Sequence, residues 1–179
     1  MNDVAILREI QSWFLTPGMR VLAIILARWL IFFFVPFVAV AGLFKKASGA
    51  RRMAYEVAWS CLVGFSCSMI IGRLVTRVRP FRVVEGITAL IPPPYSVHSF
   101  PSSHTTIAFA IAMSLALARP RLGVVAFIMA GLVGFGRMAV GVHYPTDVLA
   151  GALLGMCSAL LVRAAYRVWL RWEKKPLVH

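Results

Sequence analysis

Acidic residues are scarce in this chain. Six Asp and Glu stand against 19 Lys and Arg, a net charge of +13 over 179 residues. Polar stretches are scarce too: 60% of the residues are hydrophobic and the mean hydropathy is +0.83. That excludes an ordinary soluble domain of this size. Cysteine is rare, and Cys61, Cys67 and Cys157 each lie inside an apolar run. They read as small buried hydrophobes, not as a disulfide framework or a metal set. No cleavable leader is expected, because the N-terminus has an early acidic residue and no small-residue cleavage site behind a short apolar core. In a soluble protein a charge of +13 would suggest nucleic acid. Here the basic residues sit between or beside apolar runs, so topology and anionic headgroups explain them and no nucleic-acid partner is expected.

What is present is a series of apolar segments. Val4, Leu7, Ile10 and Phe14 recur near the helical period, which predicts an amphipathic helix over 3–15 lying in the membrane interface, with Trp13 at headgroup level. Residues 21–44 form a run long enough to span, with one charge at Arg28 and a kink expected at Pro36. Further spans are read at 53–78, 104–118, 122–142 and 147–170. The third is short for a span, and Arg163, Arg167 and Arg171 could snorkel from the last. The expected fold is an all-α integral membrane bundle of about five transmembrane helices plus the interfacial helix, one domain over 1–179. The connections at 45–52 and 119–121 and the C-terminal tail are basic and fall on one side, which the positive-inside rule makes cytoplasmic. The opposite, extracytoplasmic side then carries Arg79, His104, Arg137, His143 and Asp147.

Those residues fit the cleavage of a phosphate ester without a metal. Arg79 and Arg137 supply planar guanidinium forks for phosphoryl oxygens. His143 is placed to attack, with Asp147 holding its other ring nitrogen. His104 is the candidate acid for the leaving oxygen. Ser102 and the backbone N–H groups of Ser103 and His104 sit at an expected helix start, an anion-binding position. Each motif alone has an ordinary structural reading: Pro101-Ser102-Ser103-His104 is also a helix start with a serine cap, and Arg137 alone could snorkel. Together, in order and on one face, they favour the chemical reading.

Arg79-Pro80, Pro101-Ser102-Ser103-His104 and Arg137-x5-His143-x3-Asp147 resemble the three signature segments of the type 2 phosphatidic acid phosphatase (PAP2) superfamily. The motifs cover about 25 residues, and the hydropathy resembles the family over nearly the whole chain. The resemblance implies a phosphohistidine on His143, His104 as acid and base, and no metal or cofactor. Three departures stand out: Gly72 where the family often has Lys, Ser103 where Gly is usual, and Gly136 in place of Ser. Arg73 or Arg77 could replace the missing lysine as a phosphate ligand. The short chain and Arg79-Pro80-Phe81 are most similar to small bacterial undecaprenyl-diphosphate phosphatases, which act in peptidoglycan biosynthesis at the outer face of the inner membrane. Phosphatidylglycerophosphate, phosphatidic acid and lipid A phosphatases share the same residues. A lipid phosphotransferase and a non-catalytic transport or assembly protein are the other classes. Arg28 has two readings, a ligand for a second phosphate or a snorkelling interface residue. The 80–103 connection is where substrate specificity is expected to lie.

Overall fold

The computed structural model describes residues 3–43, 46–92 and 98–173. Lys45 of the basic connection, Pro93 and Pro94 of the outer connection, and Lys174 and Lys175 of the tail lie outside them. The regular elements among the described residues are all helices: α1 (Asp3–Ser12), a composite first span, α4 (Ala47–Leu74), α5 (Pro80–Val83), α6 (Ser103–Ala118), α7 (Pro120–Ala139) and α8 (Pro145–Glu173). The composite span runs through α2 (Pro17–Ile24), a π-helical turn (Ile25–Trp29), a 3-10 turn (Leu30–Phe33) and α3 (Phe34–Leu43).

Four of these helical stretches are long and apolar enough to cross a membrane: Pro17–Leu43, Gly49–Leu74, Pro120–Ala139 and Pro145–Trp172. They carry a belt of exposed large side chains, including Val35, Leu74, Leu149 and Leu161. Such a surface is stable only against lipid tails or another apolar partner. The sixteen-residue α6 is the short central helix. Its buried residues occur on every side, from Thr105 and Thr106 to Ala112 and Leu115, so it has no lipid stripe of its own. It packs between α4, α7 and α8. Its close approach to α8 depends on Gly151 and Gly155: a Cβ at Gly151 would sit 2.6 Å from the Ser102 carbonyl oxygen, and one at Gly155 would strike the Thr106 carbonyl.

The structure departs from the sequence reading in particular places. The second span ends at Leu74 rather than 78. Residues before a proline are driven out of helical geometry, and Arg79, which precedes Pro80, is extended at φ −67°, ψ 145°. Pro36 lies within the first turn of α3, just after the 3-10 turn that contains Phe32, the residue four before it, and the span is irregular from the π-helical turn at Ile25 through that 3-10 turn. The apolar face of α1 is turned onto the protein. Leu7, Ile10 and Phe14 are buried, packing with Ile87 and Tyr144 and with Ala139, Val140 and Val142. Trp13 remains half-exposed beside Phe135. Gln11 fixes the same helix to the outer connection through two bonds with the Thr88 backbone. Cys157 is exposed rather than buried, because it faces outward from α8.

Candidate active site

The C-terminal ends of α4 and α7 and the N-terminal ends of α6 and α8 meet at one end of the bundle. There a cavity of about 340 Å³ is lined by Arg73, Arg79, Ser103, His104, Arg137 and His143, with Ser68, Gly72 and Phe100 among its other walls. Segments far apart in sequence thus bring three arginines and three histidines, His98 among them, to one space.

His143 follows the end of α7 and is buried. Its Nδ1 lies 2.8 Å from the Ser99 carbonyl oxygen. A carbonyl only accepts, so Nδ1 carries the proton and Nε2 is left with its lone pair. Nε2 lies 3.3 Å from Arg79 Nη1, which donates to it. Burial, reinforced by the Arg137 and Arg79 charges and opposed by Asp147, pushes His143 down to about 4. The imidazole is therefore neutral at neutral pH, the form that has an electron pair to give.

Asp147 corrects one sequence expectation. Its Oδ2 is 3.6 Å from His143 Nδ1, beyond hydrogen-bond distance, and the Ser99 carbonyl takes that bond instead. The carboxylate, fully buried, accepts from the Tyr144 backbone N–H at 2.8 Å and from Arg77 Nη1 at 2.8 Å. Asp147 therefore acts on the ring through its charge and through the turn that carries it. Ser99 was missed because a backbone carbonyl has no residue-type signal.

Arg79 is buried and donates to the Val142 carbonyl at 3.1 Å. Burial lowers its pKa to about 10, with Asp147 opposing and Arg82 assisting, so it stays cationic at neutral pH. Arg137 is buried in the last turn of α7 and donates to the Ala27 carbonyl at 3.3 Å. Ala27 lies in the π-helical turn, where the widened hydrogen-bond pattern makes a carbonyl available. The Nε of Arg137 is buried without a hydrogen-bond partner among the described residues.

The other expected ligands divide. Ser103 lines the cavity, and its hydroxyl, where the family usually has glycine, lies 3.1 Å from the Ser68 hydroxyl. Ser102 is fully buried and does not line the cavity; its hydroxyl accepts from Thr105 and its carbonyl from the Thr106 N–H. It therefore acts as structure at the helix start. Arg73 reaches the cavity wall beside Gly72. Arg77 does not: it is held by Asp3 at 2.7 Å and Asp147 at 2.8 Å, donates to Thr146 at 2.6 Å, and lies 3.9 Å above the Tyr144 ring. Its charge is already matched by two carboxylates. Arg28 is exposed, 5.6 Å from the Trp29 ring centroid and not among the residues lining the cavity. Gly136 is explained by packing: a Cβ there would lie 2.6 Å from the Ala27 nitrogen, so the serine of the family pattern has no room beside the π-helical turn.

A bundle of membrane-length helices closing two arginines around a neutral histidine defines a membrane protein built to handle a phosphorylated ligand. The PAP2 superfamily profile matches residues 54–171, and the chain belongs to that superfamily; it spans just under two thirds of the length of the first curated relatives it matches. It is 34% identical over 137 residues to the bacitracin transport permease protein BcrC of Bacillus licheniformis, covering 76% of this chain and 66% of that protein. It is 31% identical over 128 residues to the undecaprenyl-diphosphatase of Sulfolobus acidocaldarius, covering 71% and 60%. The fold matches the crystal structure of Aquifex aeolicus LpxE with a TM-score of 0.71 at 23% identity, over 89% of this chain and 93% of that one.

Proposed function

We propose that the chain hydrolyses undecaprenyl diphosphate to undecaprenyl phosphate and inorganic phosphate through a phosphohistidine on His143. One observation carries the reading: the Nδ1 contact with the Ser99 carbonyl leaves the His143 Nε2 lone pair among Arg79, Arg137 and His104. In the first step Nε2 attacks the terminal phosphorus. The N–P bond forms as the bridging P–O bond breaks, and His104 gives the leaving oxygen its proton. In the second step His104 takes a proton from water, whose oxygen attacks phosphorus and releases phosphate and neutral His143. Arg79 and Arg137 hold the equatorial oxygens, with the backbone N–H groups of Ser103 and His104 at the start of α6. Arg73 is placed for a further phosphoryl oxygen in the position left open by Gly72. Arg77, Asp147 and Thr146 are positioning residues for the turn that bears His143.

The choice of a polyprenyl diphosphate is supported by the similarity to the undecaprenyl-diphosphatase of Sulfolobus acidocaldarius. The positive-inside pattern supports placing the cavity on the extracytoplasmic side of a bacterial inner membrane. The test is phosphate release by purified protein from undecaprenyl diphosphate, phosphatidylglycerophosphate, phosphatidic acid and lipid A, with His143→Ala as the blank. Preference for the first supports the reading. Preference for one of the others replaces the substrate, and equal release by His143→Ala overturns the mechanism.

A further inference from the structure

One titratable side chain of the catalytic cavity takes no part in these two steps. His98 lines the cavity with Gly72, Arg73 and Phe100, on the wall formed by the end of α4 and the outer connection. The backbone holds it there. Val78 and His98 form an isolated antiparallel bridge. The Ser99 N–H donates to the Arg77 carbonyl at 2.7 Å, and the Ser99 hydroxyl donates to the same oxygen at 3.2 Å. The Ser99 carbonyl in turn accepts from His143 Nδ1. His98 therefore adjoins the residue that orients His143, on a segment in fixed register with 77–79.

Gly72 lets that segment come close. A Cβ at position 72 would lie 3.2 Å from the Phe100 carbonyl oxygen, tighter than ordinary contact. A lysine there, as the family often has, would require the segment or the helix end to give way. With glycine the two close on each other, and Arg73 and His98 flank the contact on the cavity wall. Burial is graded across the cavity. Arg79, Arg137 and His143 are buried, His98 and His104 are half-buried, and Arg73 is exposed. A substrate whose terminal phosphorus reaches His143 Nε2 must extend outward, past His104, toward His98 and Arg73.

We infer, resting on the proposed attack by His143, that His98 together with Arg73 binds the phosphoryl group that stays on the lipid, and so selects a lipid diphosphate over a lipid monophosphate. An imidazole donates through a ring N–H, and a guanidinium adds a fixed charge and a planar fork. Beyond the bridging oxygen of a diphosphate lies a second set of negative oxygens, which gives both side chains a partner. Beyond the ester oxygen of a monophosphate lies carbon, which gives them none. His98 thus supplies on the outer connection a donor of the kind that position 72 lacks, and it sets the class of headgroup rather than the length of the chain.

The test uses two uncleavable probes on one farnesyl chain, a methylene-bridged diphosphonate and a single phosphonate, titrated into the whole protein in detergent. The wild type should bind the diphosphonate about tenfold more tightly. His98→Ala should weaken the diphosphonate about tenfold and the phosphonate less than about threefold, with thermal unfolding showing a folded protein. Arg73→Gln should act in the same direction, and His98→Gln, which keeps an N–H donor, should recover part of the loss. Equal affinity of the wild type for the two probes, or undiminished diphosphonate binding by His98→Ala and Arg73→Gln, would overturn the inference. So would a folded His98→Ala that loses both probes alike, the mark of a residue that only supports the wall. The result separates from the proposed reaction. Phosphate release from undecaprenyl diphosphate that depends on His143, with no preference between the probes, would leave the reaction standing and remove the role of His98. A preference for the diphosphonate that depends on His98, with release favouring another lipid diphosphate, would keep the role and replace the lipid.

Discussion

Arg77 and Arg79 lie two residues apart and have opposite electrostatic fates. Arg77 is matched by Asp3, Asp147 and the Tyr144 ring, and its pKa is raised: burial opposes this, and its bonds and charge contacts with Asp3 and Asp147 prevail. Arg79 is more deeply buried, donates to the Val142 carbonyl and to His143, and its pKa is lowered by burial. The first arginine holds the architecture by neutralising acids. The second faces the cavity, where a doubly charged phosphoryl group would supply the neutralisation. The same residue type becomes a staple or an anion ligand according to whether carboxylates reach it first.

The largest expected effects test the ligand side of this contrast. Arg79→Ala and Arg137→Ala should each cut kcat/KM on the preferred substrate by about 10²–10³, the range for deleting one donor aimed at developing charge. Arg79→Lys should recover little, because an ammonium cannot reproduce the fork. If Arg79→Ala retained more than a tenth of wild-type turnover, the contrast would collapse. Arg77→Ala tests the staple side. It leaves the fully buried Asp147 carboxylate with the Tyr144 N–H and without its guanidinium, so a stability loss of about 2 kcal/mol is expected, below the usual cost of a broken buried pair because Arg77 is 30% exposed and its charge is partly screened. Turnover should fall about tenfold through kcat, with KM nearly unchanged, and Arg77→Lys should restore much of the stability. A change confined to KM would make Arg77 a substrate ligand after all.

Most of this geometry has a sequence signal, and the exceptions share a cause. Arg79, His104, Arg137 and His143 are legible because their chemistry is in their side chains and their spacing is short. The helices are legible because apolar runs of this length have few other solutions. Ser99 and Ala27 act through backbone carbonyls, which every residue has, so no motif marks them. Arg77 reads as a phosphate ligand in sequence because it stands one turn on from Arg73, the neighbour of Gly72; only the fold shows Asp3, distant in sequence, reaching it first. The apolar stripe of α1 predicts a helix, while its destination on Ile87, Tyr144 and Val142 depends on long-range packing that periodicity does not carry.

The pH dependence sharpens the account of the cavity. On the proposed mechanism His143 must be neutral to attack, and its pKa is held near 4. The acid limb of kcat/KM, which reports the free enzyme, should therefore break near pH 4 rather than near the ordinary histidine value of about 6.5. The linkage has the same sign. The unfolded chain protonates this imidazole below its ordinary pKa while the folded one does not, so its contribution to stability falls as pH drops from that value toward 4. An acid limb at the ordinary histidine value would mean that the arginines and the buried position do not act on this ring.

The smallest expected effect isolates α1. Asp3 is joined to Arg77 and Thr146 across the chain, and these bonds lower its pKa although burial acts against them. A carboxyl with a depressed pKa contributes stability above its ordinary pKa and loses it as pH falls through the folded value. Asp3→Asn removes that charge and keeps the shape. Because Asp3 is partly exposed, the loss should be under about 1 kcal/mol, and turnover should fall less than threefold. Arg77 keeps Asp147, so the cluster is weakened rather than opened. The comparison with Arg77→Ala is what gives the measurement meaning. If Asp3→Asn matched Arg77→Ala in turnover, the N-terminal helix would be setting the position of the His143 turn through Asp3. If it left turnover untouched while lowering thermal stability slightly, Arg77 would hold Asp147 by itself, and α1 would contribute through the buried faces of Leu7, Ile10 and Phe14.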